Sequence, residues 1–442
     1  MTALNRYFEG VTPYLLLVFL GCWLGGIFDG MDSSLYVVVQ HDALADLLGT
    51  TDRTRISTVG SWVVCLFLLG WTLGGMAIGV ISDRLGRVKA MVLSIALYAI
   101  FTGLCGLAQT WWQLGIFRFL TGFGIGGELV TIATMLSETW PERSRALAIG
   151  ALISSYQVGV FLAGLLPTLI TGWAHTMGFV PWRVVFFLGI LPALLAVVIR
   201  VQMKESDKWL AVQALQQTQD AQREQGVSWW QAFVQHELLP LRQLMKPEYR
   251  RYLWIGGGLF GFFLVSYWSS VVWIPTWIQD LLGPNRAHGV EKSIATQWHG
   301  AFALLGCISA GLLANGIGRR WTIVLGTTLA FFTTVWMTQS NAVFSEQIYY
   351  QDALIGLFTG MAQAASYVYL PELFPTAIRS TGVGFCLNMG RLFTAGVVLF
   401  MGPVVQALGG YGPAIAVFAI PHLLAGAVTL FGKETKGQGL PG

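Results

Sequence analysis

Asp29 and Asp32 stand three residues apart in WLGGIFDGMDSSLYVVV, a run with no other charge. Residues i and i+3 project from one helix face, so the two carboxyls can share one environment. Three more ionisable residues lie in similar runs: Arg118 and Glu128 in RFLTGFGIGGE, and Arg391 in NMGRLFTAG. An ionisable group in hydrocarbon is costly enough to be a functional candidate by default. Burial, a second carboxylate and a nearby guanidinium do not all pull a carboxyl's proton affinity the same way. A carboxyl balanced among them can load a proton on one side of a membrane and lose it on the other. Asp29, Asp32, Arg118 and Glu128 are the candidates for that work.

Arg391 has no obvious carboxylate on the nearby turns, and its planar fork matches a carboxylate with two hydrogen bonds. It and Asn388, one turn earlier, are candidates for holding an acidic substrate. Tyr156, Gln157, Trp273 and Gln363 are polar or aromatic residues in apolar runs, where facing a cavity avoids an unsatisfied penalty. Tyr267, Trp268, Ser366 and Tyr367 belong to the same group.

Plainer arrangements stay open at each position. Asp29 and Arg118 can form a permanent pair that only fastens two helices. Arg391 can pair with one of the carboxylates above. Glu128 can serve the basic loop arginines instead of a proton, and Asp352, close to the end of its run, is expected to be solvated.

These residues need helices in a bilayer to position them. A soluble domain carries about a quarter charged residues; this chain of 442 residues has 11%, with mean hydropathy +0.62. Runs of about 20 apolar residues span a bilayer as helix. Twelve are expected, at about 14–40, 57–81, 88–108, 111–136, 145–172, 182–202, 252–282, 295–316, 321–340, 348–370, 380–406 and 411–432, and are called spans 1 to 12 below. The 53 glycines suit close helix contact in lipid. Period-two alternation is absent, which argues against a β-barrel. At 1.5 Å per residue, Asp29 and Asp32 lie roughly 22 and 27 Å up span 1, and Arg118 roughly 10 Å down span 4 from the other face. In about 30 Å of hydrocarbon those depths nearly coincide.

With both termini on one side, that side holds 19 of the 26 Lys and Arg, so both are expected to be cytoplasmic. The +4 net charge is this topological bias and points to no nucleic acid. The five cysteines fall within apolar runs and read as packing residues. The first run is too long and too acidic for a cleaved signal peptide. Residues 203–251 are the one water-soluble stretch, patterned for short amphipathic helices between residues 1–202 and 252–442.

The chain also repeats itself. Gly79, Asp83, Gly86 and Arg87 in GVISDRLGR are answered 232 residues on by Gly311, Asn315, Gly318 and Arg319 in GLLANGIGR. Glu138, Pro141 and Arg145 in ETWPERSR are answered 234 residues on by Glu372, Pro375 and Arg379 in ELFPTAIR. Duplicated hydrophobic halves are how many secondary transporters reach one site from two sides.

GVISDRLGRVK resembles the loop between spans 2 and 3 of the major facilitator superfamily, and its copy resembles the loop between spans 8 and 9. RFLTGFGIGGE resembles that family's fourth span. KESDKWL and KETKG resemble the tails after each half in sugar-porter-like branches, while span 5 lacks the Gly-Pro-x-x-Gly-Gly signature of drug antiporters. Within the family, WLGGIFDGMD is similar to the Asp-Gly-x-Asp helix of the sialate and aromatic-acid proton symporters. The resemblance covers essentially the whole chain. It implies an all-α fold of twelve transmembrane helices in two pseudo-symmetric six-helix bundles. It also implies that Asp83, Arg84, Arg87 and Arg145, with their counterparts, latch the cytoplasmic side shut. Asn315 cannot carry Asp83's charge, so the latch is expected to be asymmetric.

The expected function is proton-coupled symport of an organic carboxylate, driven by the proton gradient with no cofactor, by a monomer in a bacterial inner membrane. A sugar or polyol carrier and an organic anion exchanger are the alternatives within transport. Against a receptor or enzyme stand the duplicated loops and the lack of any nucleophile, paired-His or phosphate-loop constellation.

Overall fold

The computed structural model describes residues 9–191, 198–199, 202–221, 239–282, 290–399 and 401–441. Among them every regular element is helical. Ten helices are long and apolar enough to cross a membrane. Spans 6 and 11 begin as Pro181–Leu188 and Arg379–Leu399, and each runs into residues outside the described set. Two short helices, Asp207–Ala221 and Leu239–Leu244, lie in the expected linker, whereas its VSWWQAFVQHE segment falls outside the described residues.

Hydropathy marks where the chain meets lipid, not where helical hydrogen bonding stops. Span 1 accordingly runs as Pro13–Leu48, past the expected end at residue 40. Thr12 caps its start, and Gly49 ends it in the left-handed region (φ 58°), bonding back to the carbonyls of Ala45 and Asp46. Glycine takes that conformation without a Cβ penalty. Span 7 breaks instead: Pro247–Ser269 gives way to a 3₁₀ turn at Val271–Trp273 and resumes as Ile274–Leu282. Pro275 has no N–H for the helical bond to Val271.

Glycine spacing sets the packing. Span 2 is Arg53–Leu85 and span 4 is Trp111–Thr139. A Cβ at Gly74 would run into the Phe123 carbonyl, and one at Gly122 or Gly126 into Phe67 or Trp71. The second half repeats this between spans 8 and 10, Val290–Gly316 and Gln347–Glu372. There Gly306 meets Leu357, Gly356 meets His299, and Gly360 meets Ala303. Backbones that touch this closely fix how the side chains between them face.

The halves meet along two matching seams. Span 2 lies against span 11, where a Cβ on Gly384 would come 2.5 Å from the Gly75 carbonyl. Span 5, Glu142–Thr176, lies against span 8, where a Cβ on Gly150 would come 2.5 Å from the Cys307 carbonyl. Gly79 and Gly311 make equivalent approaches to Ser380 and Leu147.

Candidate functional site

Spans 1, 4 and 11 bring the ionisable residues to the bundle centre. Asp29, Asp32, Arg118 and Glu128 are all fully buried. The structure separates the two aspartates that the spacing places on one face. Asp32 Oδ2 lies 3.5 Å from Arg118 Nη1, and the same guanidinium donates to the Asp32 carbonyl at 3.4 Å. Arg118 is further held over the rings of Phe67 and Tyr36, at 4.4 and 5.4 Å. Asp29 takes no part in that pair. Neither of its oxygens has a hydrogen-bond partner, and its electrostatic neighbours are Glu128, Arg391 and, more weakly, Asp32. Such a carboxyl is neutral when it holds a proton and an unpaired buried charge when it does not. The two forms therefore differ sharply in cost.

Glu128 corrects one expectation. Its carboxylate takes no hydrogen bond from the loop arginines; it abuts Gly25 of span 1, with Tyr98 beside it. A Cβ at position 25 would meet this carboxylate where it now lies, so the glycine gives it room. Asp352 corrects another: far from solvated, it is buried and bonded to His299 Nδ1 at 2.9 Å.

Arg391 faces a cavity of about 150 Å³ between the halves. Its Nη1 donates to Asn388 Oδ1 at 2.6 Å and to the Leu387 carbonyl at 3.1 Å, and its guanidinium lies 4.4 Å over the Trp71 ring. None of these partners is a carboxylate. Tyr156, Gln157 and Gln363 line the cavity as expected, and Tyr267, Trp268 and Tyr367 join them. Tyr156 is fixed by a 2.9 Å bond to Ser33 of span 1.

Three expected residues are placed differently. Asn388 is buried against Gly75 of span 2, so it braces Arg391 and does not line the cavity. Trp273, beyond the break in span 7, stacks on Tyr411 with ring centroids 5.9 Å apart. Ser366 turns back onto the Ala362 carbonyl of its own helix. The sequence reading missed Trp71, Phe260 and Phe263, which wall the cavity. Apolar aromatics in an apolar run send no signal about which way they face.

At the end where the basic residues gather, the repeated motifs join across the halves. Asp83 accepts from the Ser380 and Thr381 amides at 3.1 and 2.7 Å and from the Thr381 hydroxyl at 2.7 Å, capping span 11. Arg87 pairs with Asp83 and Glu138, each at 2.8 Å, and donates to the Thr376 carbonyl. Glu138 in turn lies 2.7 Å from Arg379. Arg145 pairs with Glu372 rather than Asp83, and only at 3.9 Å. Arg319 bonds Glu372 and Asn315, while Asn315 donates across the seam to the Arg143 carbonyl. Arg84 lines a crevice against the helix Leu239–Leu244.

The two tails also do matched work. Gly86 (φ 111°) and Gly318 (φ 101°) turn the chain into spans 3 and 9. Glu205 of KES accepts from the first amides of span 3, and Glu434 of KET from those of span 9. A carboxylate at a helix N-terminus satisfies its open N–H groups.

Residues 18–441 match the family model described as "Sugar (and other) transporter". The chain is 28% identical over 426 residues to the cis,cis-muconate transport protein of Acinetobacter baylyi, covering 95% of this chain and 94% of that one. It is 27% identical to the sialic acid transporter NanX of Escherichia coli (strain K12), covering 94% and 93%. It is 26% identical to the gentisate transporter of Corynebacterium glutamicum, covering 87% and 80%. The solved structure of the proton:xylose symporter XylE bound to 6-bromo-6-deoxy-D-glucose shares the fold, with a TM-score of 0.75 at 19% identity, covering 97% of this chain and 98% of that one.

Proposed function

We propose, from the premise that this chain belongs to the sugar (and other) transporter family of the major facilitator superfamily, that it carries a planar organic carboxylate together with protons. It is a multi-pass membrane transporter, not an enzyme. One observation carries the substrate reading: Arg391, without a carboxylate partner among its bonds, faces an aromatic-walled cavity. A cavity of that size holds about one benzene ring. The muconate and gentisate transporters among the relatives support an acid of flat shape.

In this reading the substrate carboxylate docks on Arg391 and its flat body packs against Trp71, Phe263 and Tyr367. Asp29, within electrostatic reach of Arg391, carries the proton. When Asp29 is charged, it competes for the guanidinium; when protonated, it leaves Arg391 to the incoming acid. Glu128 takes the proton on towards the basic end, and the Asp32–Arg118 pair holds spans 1 and 4 together. Residues 1–202 and 252–442 rock about the cavity as two bundles joined by 203–251, within one chain. The basic end faces the cytoplasm of a bacterium, as the Lys and Arg distribution supports.

Thermal unfolding with a ligand panel tests the substrate class. Gentisate, nicotinate or cis,cis-muconate should raise the Tm of the purified carrier, while nicotinamide and xylose should not. Stabilisation by xylose with none from any acid would overturn the reading and favour a sugar carrier.

A further inference from the structure

The second half holds an ionisable pair that the proposed cycle does not use. Asp352 of span 10 and His299 of span 8 share a 2.9 Å hydrogen bond, and the Asp352 side chain is 3% exposed. The pair sits where the first half keeps Arg118 and Phe67, residues 234 and 232 positions earlier, which are themselves stacked at 4.4 Å. Gly356 fixes the approach, because any Cβ there would meet the His299 carbonyl. His299 Nδ1 donates to the carboxylate, which leaves the buried Nε2 with no partner. Tyr267 separates the pair from the cavity: its ring lies 6.5 Å from the imidazole, and it lines the cavity wall.

We propose that His299 and Asp352 form a second proton site, so that two protons accompany each acid. The inference rests on the symport reading above. With neutral His299 the dyad carries one negative charge beside a cavity that must admit an anion. A proton taken on Nε2 turns it into a neutral imidazolium–carboxylate pair, and no bond other than N–H is made or broken. Proton loading and acid binding therefore favour each other reciprocally. The groups facing the dyad leave this role to it. Span 7 presents the Tyr267 phenol, and span 5 presents the Tyr156 phenol beyond it. On span 8 itself Cys307 lies two turns below and Glu291 two turns above. Span 9, Arg319–Ser340, carries charge only at Arg319 and Arg320, at its far end. Asp29, the other proton carrier, belongs to the opposite half.

The test is the ratio of protons to acid moved by the full chain in proteoliposomes, with the membrane potential clamped at zero and gentisate as the probe. At a one-unit pH difference, two protons support about hundredfold accumulation and one supports about tenfold. The parent should reach the higher value, and His299→Gln and Asp352→Asn should each fall to the lower one while still binding gentisate. Asp352→Asn preserves the shape of the pair and guards against a folding defect in the other variant. Equal ratios in parent and both variants would overturn the dyad and leave the symport reading intact. Loss in Asp352→Asn alone would also overturn it, since His299 must be the base. A parent that moves acid without protons would overturn the symport reading and this inference with it.

Discussion

The two halves repeat one pattern, yet their centres carry different charged groups. The first buries Asp29, Asp32 and Glu128 with Arg118 paired to Asp32, and the second places Arg391 at the cavity with Asp352 tied to His299. The basic end diverges too. Asp83 caps span 11 through three hydrogen bonds and Glu138 meets Arg379 at 2.7 Å, whereas Asn315, an uncharged amide, reaches across its seam to the Arg143 carbonyl and Arg145 stands 3.9 Å from Glu372. The backbone contacts between helices kept the symmetry of the duplication, because a glycine contact admits little variation. The polar groups between them were free to divide the labour. In the proposed cycle, the first half's unpaired carboxyl takes one proton and the second half's guanidinium takes the substrate anion.

The most severe break in that division is Asp29→Asn. Accumulation driven by a pH gradient should fall at least about tenfold, while exchange of labelled for unlabelled acid continues, because exchange needs binding but no net proton movement. The neighbouring Asp32→Asn sharpens the contrast. It strips Arg118 of its buried partner, a change that typically costs about 3–5 kcal/mol of stability, so it should lower the Tm far more than Asp29→Asn does. Equal Tm losses would mean that the structure assigns the two carboxyls wrongly.

Substitutions at Arg391 should come next. Arg391→Ala removes charge-assisted hydrogen bonds, and losing even one, worth about 1.5–3 kcal/mol, should lower acid affinity by about 10- to 150-fold. Arg391→Lys keeps the charge but loses the fork, and should fall by less. Isothermal titration with nicotinate and nicotinamide reads this directly: the variants should lose preference for the acid. If Arg391→Lys discriminates as the parent does, the arginine is only a brace.

The smallest effects belong to the basic end. The ion pairs there are buried, and a latch only has to bias a balance of a few kcal/mol. Asp83→Asn should open the basic end and raise labelling of an engineered thiol there several-fold. Asn315→Asp, which restores the missing charge, should change it less and in the opposite direction. Identical responses at the two positions would mean that the seams are equivalent.

Much of this was legible in the sequence. Long apolar runs, repeated glycines and the rare charges inside spans announce helices, duplication and the site's ionisable residues, since each is costly or conspicuous in lipid. What stayed hidden depends on facing. Nothing in the spacing tells that Asp32 would take Arg118 and leave Asp29 unpaired, for both share one helix face. The His299–Asp352 bond joins two helices 53 residues apart in the chain, and no local pattern links them. Trp273 reads like any cavity aromatic until the proline break in span 7 redirects it to Tyr411.

The central claim is that a proton gradient drives an acid through this carrier by way of Asp29. Proteoliposomes with an acidic exterior and labelled gentisate test it most directly, against protein-free liposomes. A one-unit pH difference stores about 1.4 kcal/mol per proton, so the parent should concentrate the acid at least about tenfold. The Asp29→Asn carrier should fall at least about tenfold short of the parent. Uptake that ignores the gradient, or full accumulation by the Asn variant, would contradict the claim.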